Sequence, residues 1–400
     1  MRIAMTGPTS LLGRNVLFEL FTHYRGQLEQ LELLLLGRDK PDTPLRERVK
    51  EMFAAMTPDY FSETQIAEIY GYLDQRARYI DIDLQQDKLG ISEDDFQSLA
   101  AARIDFFFHI AALTDFRDLP IVVETLKRTN VEGTRRVLDL VTALRVGEFD
   151  YVSSAYTCGV STGEIQPDYV NIHQSFRNPY EHSKLQAEIR VRLFKLRTGT
   201  RCRFFRPSTI CGRLNAPPLG ATNKFDVFYA IGAFFLGVKL QMYPWEERYN
   251  RALHLSFRAL YSLESGLNIV PVDFVAKAML CIAMSGDPGE NYHLVNEQET
   301  PHALYVPLIL DTLRVEGVTR VDQMPQQLNE IEALYYAKVG KLYTPYVTSA
   351  PILFNTDTAR ALLDAVNVSC PLISRENFGL LMDYARQHDF GAGYLAALGQ

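Results

Sequence analysis

The sequence predicts an α/β protein: a doubly wound parallel sheet joined to a smaller, mainly helical part. Three observations carry that expectation. Short apolar runs of buried-strand type alternate with segments of helical spacing through the first half of the chain, a glycine-rich turn follows the first such run, and the alternation stops after Gly212. Alternating strands and helices imply a parallel sheet covered on both faces, because right-handed crossovers place the helices there.

The elements follow in order. Arg2 to Met5 and Leu31 to Leu36 are apolar runs separated by Leu11 to Tyr24, which has apolar residues at helical spacing, so the three form one β-α-β unit. Asp39 to Arg78 carries Arg, Lys and Glu at helical spacing and predicts an exposed helical insertion, after which Tyr79 to Ile82 supplies a third strand. Ile104 to Ile110, Phe149 to Ser153 and Arg203 to Arg206 continue the strand series, with helices expected at Ile121 to Leu144 and Tyr180 to Thr198. Residues 213–263 are rich in Phe, Tyr, Leu and Pro without clean periodicity, and residues 301–400 read as helices with loops. The expected division is a dinucleotide-binding Rossmann domain over 1–212 and 264–300, with a substrate-binding lid over 213–263 and 301–400.

Bulk properties narrow the function. A chain of 400 residues with 47% apolar content can bury a large core. A net charge of -7 gives no basic footprint for a nucleic-acid backbone, so no nucleic-acid partner is expected. The cysteines (Cys158, Cys202, Cys211, Cys281, Cys370) are odd in number and scattered without a CxxC pair, which signals neither a disulfide framework nor a metal site. Met1 runs straight into a strand-like segment without a secretory pattern. The stretch from Phe225 to Leu240 is interrupted by Gly232 and Gly237 and falls short of the ~20 residues a membrane span needs. A soluble cytoplasmic protein is expected, and nothing in the sequence speaks to oligomeric state.

After the first strand the chain reads Thr6-Gly7-Pro8-Thr9-Ser10-Leu11-Leu12-Gly13 and continues as a helix. Such a turn lets backbone N–H groups meet a pyrophosphate at the positive end of the helix dipole; the plainer alternative is an ordinary strand-to-helix turn. The second strand ends at Gly37-Arg38-Asp39, where an arginine suits the 2′-phosphate of NADPH and a carboxylate the ribose hydroxyl of NAD. Arg38 favours NADPH; the alternative leaves Arg38 in solvent and Asp39 on the ribose.

Tyr180 and Lys184 stand four residues apart in a helical segment, so both side chains leave one face. An ammonium beside a phenol lowers the phenol's pKa from ~10 toward the working range and lets it exchange a proton. Upstream, Tyr151-Val152-Ser153-Ser154-Ala155 closes a strand. Because successive strand residues face opposite ways, only one serine faces the site, where its hydroxyl can stabilise charge developing on a carbonyl oxygen.

Taken in order, these segments resemble the extended short-chain dehydrogenase/reductase superfamily. The glycine run is similar to its TGxTGxLG turn, with Ser10 where the middle glycine usually stands. Tyr151 to Ser154 resembles its YVSS segment, Tyr180 to Lys184 its YxxxK, Arg206 to Gly212 its RPxxxxG, and Val270 to Ala276 its PVDxVA. The resemblance covers about residues 1–300. It implies Ser154, Tyr180 and Lys184 as a catalytic triad. It implies cofactor contacts from Gly7, Thr9, Ser10, Leu11, Leu12, Gly13, Arg38, Asp83, Leu84, Ala111, Ala112, Asn130, Tyr180, Lys184, Pro207, Ser208 and Thr209.

The segment after Ser154 lacks the acidic residue of sugar-nucleotide dehydratases, and Ser208-Thr209 replaces the asparagine frequent in epimerases. Asp83-Leu84 through Leu89-Gly90-Ile91-Ser92, Asn178-Pro179-Tyr180 and Val270 to Asp273 are closer to thioester and fatty acyl-CoA reductases, the male-sterility-type NAD-binding subgroup, with Ile82 in place of a glycine. The implied function is NADPH-dependent reduction of an acyl thioester, carried by coenzyme A or a carrier protein, to an aldehyde or alcohol. The alternatives are a ketone or hydroxysteroid-type oxidoreductase, a sugar-nucleotide epimerase, and a non-catalytic NADPH-binding sensor. The aromatic segment Phe225 to Tyr261, with Trp245, is a candidate acyl pocket or simply core. Arg248, Arg251 and Arg258 are the candidate basic patch for an acidic carrier.

Overall fold

The structure, a computed structural model, describes residues 1–56, 59–101 and 103–391. Seven strands form the central sheet: β1 Arg2–Thr6, β2 Glu32–Gly37, β3 Arg78–Asp81, β4 Ile104–His109, β5 Val146–Val152, β6 Arg201–Pro207 and β7 Asn291–Leu294. They lie in the order β7-β6-β5-β4-β1-β2-β3, every neighbouring pair parallel. The six strands expected from sequence are all present. The edge strand β7 was not expected, because Asn291-Tyr292-His293-Leu294 has neither the length nor the apolar continuity that marks a buried strand.

Alternation along the strands builds two separate cores. Ile3 and Met5, Leu33 and Leu35, Phe108 and Phe205 enter one apolar cluster; Ala4, Leu34, Leu36, Phe107 and Phe204 enter the cluster on the opposite face. Each strand is therefore apolar on both sides, as a sheet covered by helices requires. The chain order reverses between β1 and β4, and the crevice beyond the carboxyl ends of strands at such a reversal is where open α/β sheets bind ligands.

The charged insertion folds as two helices, α1 being Leu11–His23, α2 Leu45–Ala54 and α3 Glu63–Gln75. They are only half exposed. Phe53 of α2 packs edge-on to Phe18 and Phe21 of α1 at 5.0 and 5.1 Å, and Tyr72 of α3 meets Phe21 at 5.4 Å. The charged residues conceal this apolar stripe in the sequence.

The aperiodic stretch after Gly212 contains a helix, Phe228–Met242, whose residues are almost all buried, which explains its missing periodicity: a helix covered all round has no polar face. Its core is shared with Leu253–Leu260, a strand that pairs in parallel with Val315–Val321, and with helices His302–Thr312 and Arg375–Gln387. Phe228, Phe234, Phe235 and Phe257 belong to this core, whereas Trp245 is 46% exposed and lies under Arg248. Asp273 fastens the passage between the two regions, its carboxylate accepting the N–H groups of Leu214, Asn215 and Ala216 at 2.8 to 3.2 Å. Among the described residues no helix is long and apolar enough to cross a membrane.

Candidate active site

One cleft of about 450 Å³ lies beyond the carboxyl ends of the strands. It is lined by Ser10, Leu11 and Leu12 of the glycine turn, Ala112, Ser154, Tyr180 and Lys184, and Pro207, Ser208 and Thr209. Segments up to two hundred positions apart in sequence thus meet in one place.

At the glycine turn, Gly7 has φ 71° and a Cβ there would sit 2.9 Å from the Ala111 backbone, so Gly7 is needed both for the turn and for the approach of the loop after β4. A Cβ on Gly13 would strike the Gly7 carbonyl oxygen. Ser10, the departure from the family pattern, is the N-cap of α1: its Oγ accepts the Gly13 N–H at 3.0 Å and donates to the Gly7 carbonyl at 2.8 Å. The serine thus closes the turn on itself and leaves the other amides of the helix N-terminus, which carry partial positive charge, to face the cleft.

Near the end of β2, Arg38 is exposed and Asp39 is engaged elsewhere. The Asp39 carboxylate accepts the Leu45 N–H at 2.7 Å at the start of α2, and its own N–H donates to Asp81 at 2.8 Å. Arg48 reaches back from α2, donating to the Arg38 carbonyl and to Thr9 Oγ1 at 3.4 Å, while Arg14 donates to the Thr9 carbonyl at 3.4 Å. The guanidinium groups of Arg14 and Arg48 therefore gather around Thr9. Sequence reasoning named Arg38 and missed Arg48, because only the packing of the insertion against α1 brings it back to the turn.

Asp83, Leu84 and Asn130 do not line the cleft. The Asp83 carboxylate accepts the Gln85 N–H at 2.9 Å, and Leu84 lies against Gly133. Asn130 sits in a π-helical turn, Lys127–Glu132, and its buried amide bonds both the N–H and the carbonyl of Leu113 at 2.8 and 2.9 Å and Ser183 Oγ at 2.9 Å. It braces the loop after β4 against the helix that bears Tyr180, the kind of task for which an extra residue in a helix turn is retained.

Both serines follow the end of β5 at Val152 and both border the cleft, contrary to the expected alternation, but their hydroxyls take different partners. Ser153 Oγ donates to buried Glu188 at 2.6 Å. Ser154 Oγ accepts the Tyr156 N–H at 3.2 Å as cap of the 3-10 turn Ala155–Cys158, which leaves its own hydrogen to donate into the cleft. Tyr180 and Lys184 lie on the helix Pro179–Thr198, started by Asn178 as N-cap and Pro179 in the first turn. Lys184 departs from the sequence expectation: its ammonium donates to the Val152 carbonyl at 2.7 Å and stands 4.6 Å over the Tyr151 ring. Burial brings its pKa down to about 7. Burial also pushes the Tyr180 phenol above its ordinary value, opposed by the charge of Lys224 and a hydrogen bond with Thr114. The depressed phenol pKa expected from the Tyr-Lys spacing is not the state found here.

The remaining lining comes from residues that sequence analysis did not single out. Phe116 stacks near Tyr180 at 5.5 Å and near Tyr346 at 5.9 Å. Tyr346, from the last hundred residues, donates to buried Glu181 at 2.6 Å and accepts from Asn178 at 2.7 Å, tying the helix Val339–Val347 to the start of the Tyr180 helix. Lys224 and Asp226, paired at 2.8 Å, complete the mouth. The expected basic patch does not exist as free charge: Arg248 pairs with Asp389 at 2.7 Å, Arg251 with Glu247 at 2.9 Å and Arg258 with Glu332 at 2.5 Å. Among the described residues no cluster of metal-ligating side chains occurs, and the five cysteines are unpaired.

A family model described as male sterility protein, with an NAD-binding domain, matches residues 5–279. The chain belongs to this family. It is 26% identical over 317 residues to a component of the linear gramicidin synthase of Brevibacillus parabrevis, covering 76% of this chain and 6% of that protein. It is 28% identical over 156 residues to human fatty acyl-CoA reductase 2, covering 39% of this chain and 28% of that protein. The chain thus spans well under half the length of these relatives. In fold it is similar to the terminal R domain of the myxalamid PKS-NRPS pathway, with a TM-score of 0.73 at 23% identity over 97% of this chain and 91% of that one. Family and fold together give this male sterility family member a Rossmann-like NAD-binding domain.

Proposed function

We propose that this protein reduces an acyl thioester, presented on coenzyme A or on a carrier protein, with NADPH as hydride donor. The observation that carries the reading is the single cleft in which the glycine turn meets Ser154, Tyr180 and Lys184. A bound nicotinamide dinucleotide supplies the hydride. The free amides at the start of α1 suit its pyrophosphate, and Thr9, Arg38 and Arg48 suit a 2′-phosphate, while one carboxylate oxygen of Asp39 already accepts the Leu45 N–H.

The chain's own residues then act on the carbonyl. Ser154 Oγ–H and the Tyr180 phenol donate hydrogen bonds to the thioester oxygen and stabilise the negative charge that develops as the carbon accepts hydride. Tyr180, neutral because its pKa is raised, passes its proton to that oxygen. The Tyr180 phenolate then takes back the hydroxyl proton of the hemithioacetal as its C–S bond breaks, giving an aldehyde and a thiolate that leaves through the mouth of the cleft and is protonated by water. Lys184, freed from the Val152 carbonyl, holds the nicotinamide ribose and compensates the transient phenolate.

The test follows NADPH absorbance with acyl-CoAs, ketosteroids and simple aldehydes, beside a Tyr180→Phe variant. The expected result is acyl-CoA-dependent oxidation that the variant lacks, with NADPH binding retained. Turnover with ketones alone would refute the thioester assignment, and oxidation of NADH as readily as NADPH would refute the role of the arginines.

A further inference from the structure

A second cavity, about 390 Å³, lies behind one wall of the catalytic cleft. Its floor is a face of the helix Phe228–Met242, with Ala230, Phe234, Gly237 and Val238; Leu334 and Leu342 line it as well, together with the charged residues Arg117, Asp118, Lys338 and Lys341. The floor carries no charge, and the size suits a small-molecule pocket lined mainly by apolar groups.

The wall between the cavities is thin. Phe116 lines the cleft and Arg117 the groove; Val227 lines the cleft and Ala230, one turn on, the groove; Tyr346 lines the cleft and Tyr343, on the same helix, the groove. The Phe116 ring lies 5.5 Å from the Tyr180 ring on one side and 6.1 Å from the Tyr343 ring on the other. The Val227 N–H donates to the Tyr343 hydroxyl at 2.9 Å, from a β-branched residue held at φ 51°, a costly conformation retained at this junction. The rings of Tyr343 and Phe116 therefore separate the groove from the proton donor.

We propose that this groove receives the apolar acyl chain of the thioester, reached past the half-buried Phe116 ring, while the thiol-bearing arm leaves through the mouth of the cleft. The inference rests on the thioester reading. An aliphatic chain fits because the floor of the groove is uncharged and only the Tyr343 and Phe116 rings stand between it and Tyr180, whereas a carrier protein delivers its thioester on a long flexible arm and docks further away. Gly237 lines the groove, and its place in a helix favours substitution by a residue with a side chain.

The experiment compares kcat/KM for butanoyl-CoA and dodecanoyl-CoA in the wild type, in Gly237→Phe and in Ala337→Phe, the last on an exposed rim where folding is not at stake. Displacing about two methylenes from the groove costs roughly tenfold, so dodecanoyl-CoA should lose about tenfold in both variants and butanoyl-CoA should be unchanged. Binding of the fluorescent fatty acid cis-parinaric acid, measured without NADPH, should be present in the wild type and lost in Gly237→Phe. Equal losses for both chain lengths, or none, would overturn the groove assignment while leaving thioester reduction intact. A rise in KM confined to carrier-bound substrates would show that a carrier covers the groove instead. If the wild type reduces no acyl thioester, the thioester reading fails, and absence of cis-parinaric acid binding then overturns the chain site as well.

Discussion

Replacing Arg206 by methionine should destabilise the protein by about 3 kcal/mol. Arg206 is 1% exposed, and its guanidinium donates to Glu188, itself 0% exposed, at 2.6 and 3.1 Å. Glu188 also accepts from Ser153 at 2.6 Å and from Arg192 at 2.9 Å. Removing one partner of a buried ion pair costs about 3–5 kcal/mol, because the other charge is left without compensation. Here Arg192 remains paired with Glu188 and keeps the loss at the lower end of that range, although its 25% exposure screens its charge and prevents full compensation. The corresponding fall in Tm is about 6 °C, taking roughly 2 °C per kcal/mol for a large chain. Urea unfolding followed by circular dichroism gives the number directly, with an unchanged m-value expected. Burial pushes the Glu188 carboxyl up, but the arginines and Ser153 outweigh it and hold its pKa below the ordinary value. The stabilisation is therefore present above about pH 4.3 and lost as pH falls through the folded pKa, so the difference between wild type and variant should shrink in acid. A loss under about 1 kcal/mol at pH 7, or a difference that grows in acid, would refute the argument.

Two further changes test local readings. Ser10→Ala removes the N-cap of α1 and should cost about 1 kcal/mol with weaker NADPH binding, while Ser10→Gly should cost only a few tenths; equal effects by thermal unfolding would mean the cap is idle. The Lys184 pKa is lowered to about 7 by burial, so between about pH 7 and about pH 10.4 the unfolded chain binds the extra proton and stability contributed by this residue rises with pH. Midpoints of urea unfolding at pH 6.5 and 9 should therefore rise more in the cofactor-free wild type than in Lys184→Met; parallel shifts would contradict a lysine whose pKa burial has lowered.

The sequence by itself determined six of the seven strands of the central sheet and the turn that opens its first helix. The apolar run Leu33 to Leu36, bounded by turn residues, reads as a strand buried on both faces, and the Gly7 to Gly13 turn carries its own backbone requirement. These are local constraints, written within a few residues of one another. What only the tertiary structure decided are encounters between distant segments. Arg48 returns to Thr9 because Phe53 packs on Phe18 and Phe21; Asn130 turns inward to brace Leu113 and Ser183; Lys184 finds the Val152 carbonyl; Tyr346 reaches Glu181. The helix Phe228–Met242 lost its periodicity by being covered on every side, and the groove beside it exists only where residues from three separate segments face one another. Spacing along a chain fixes which side chains share a face, but which partner that face meets depends on packing that no local pattern records.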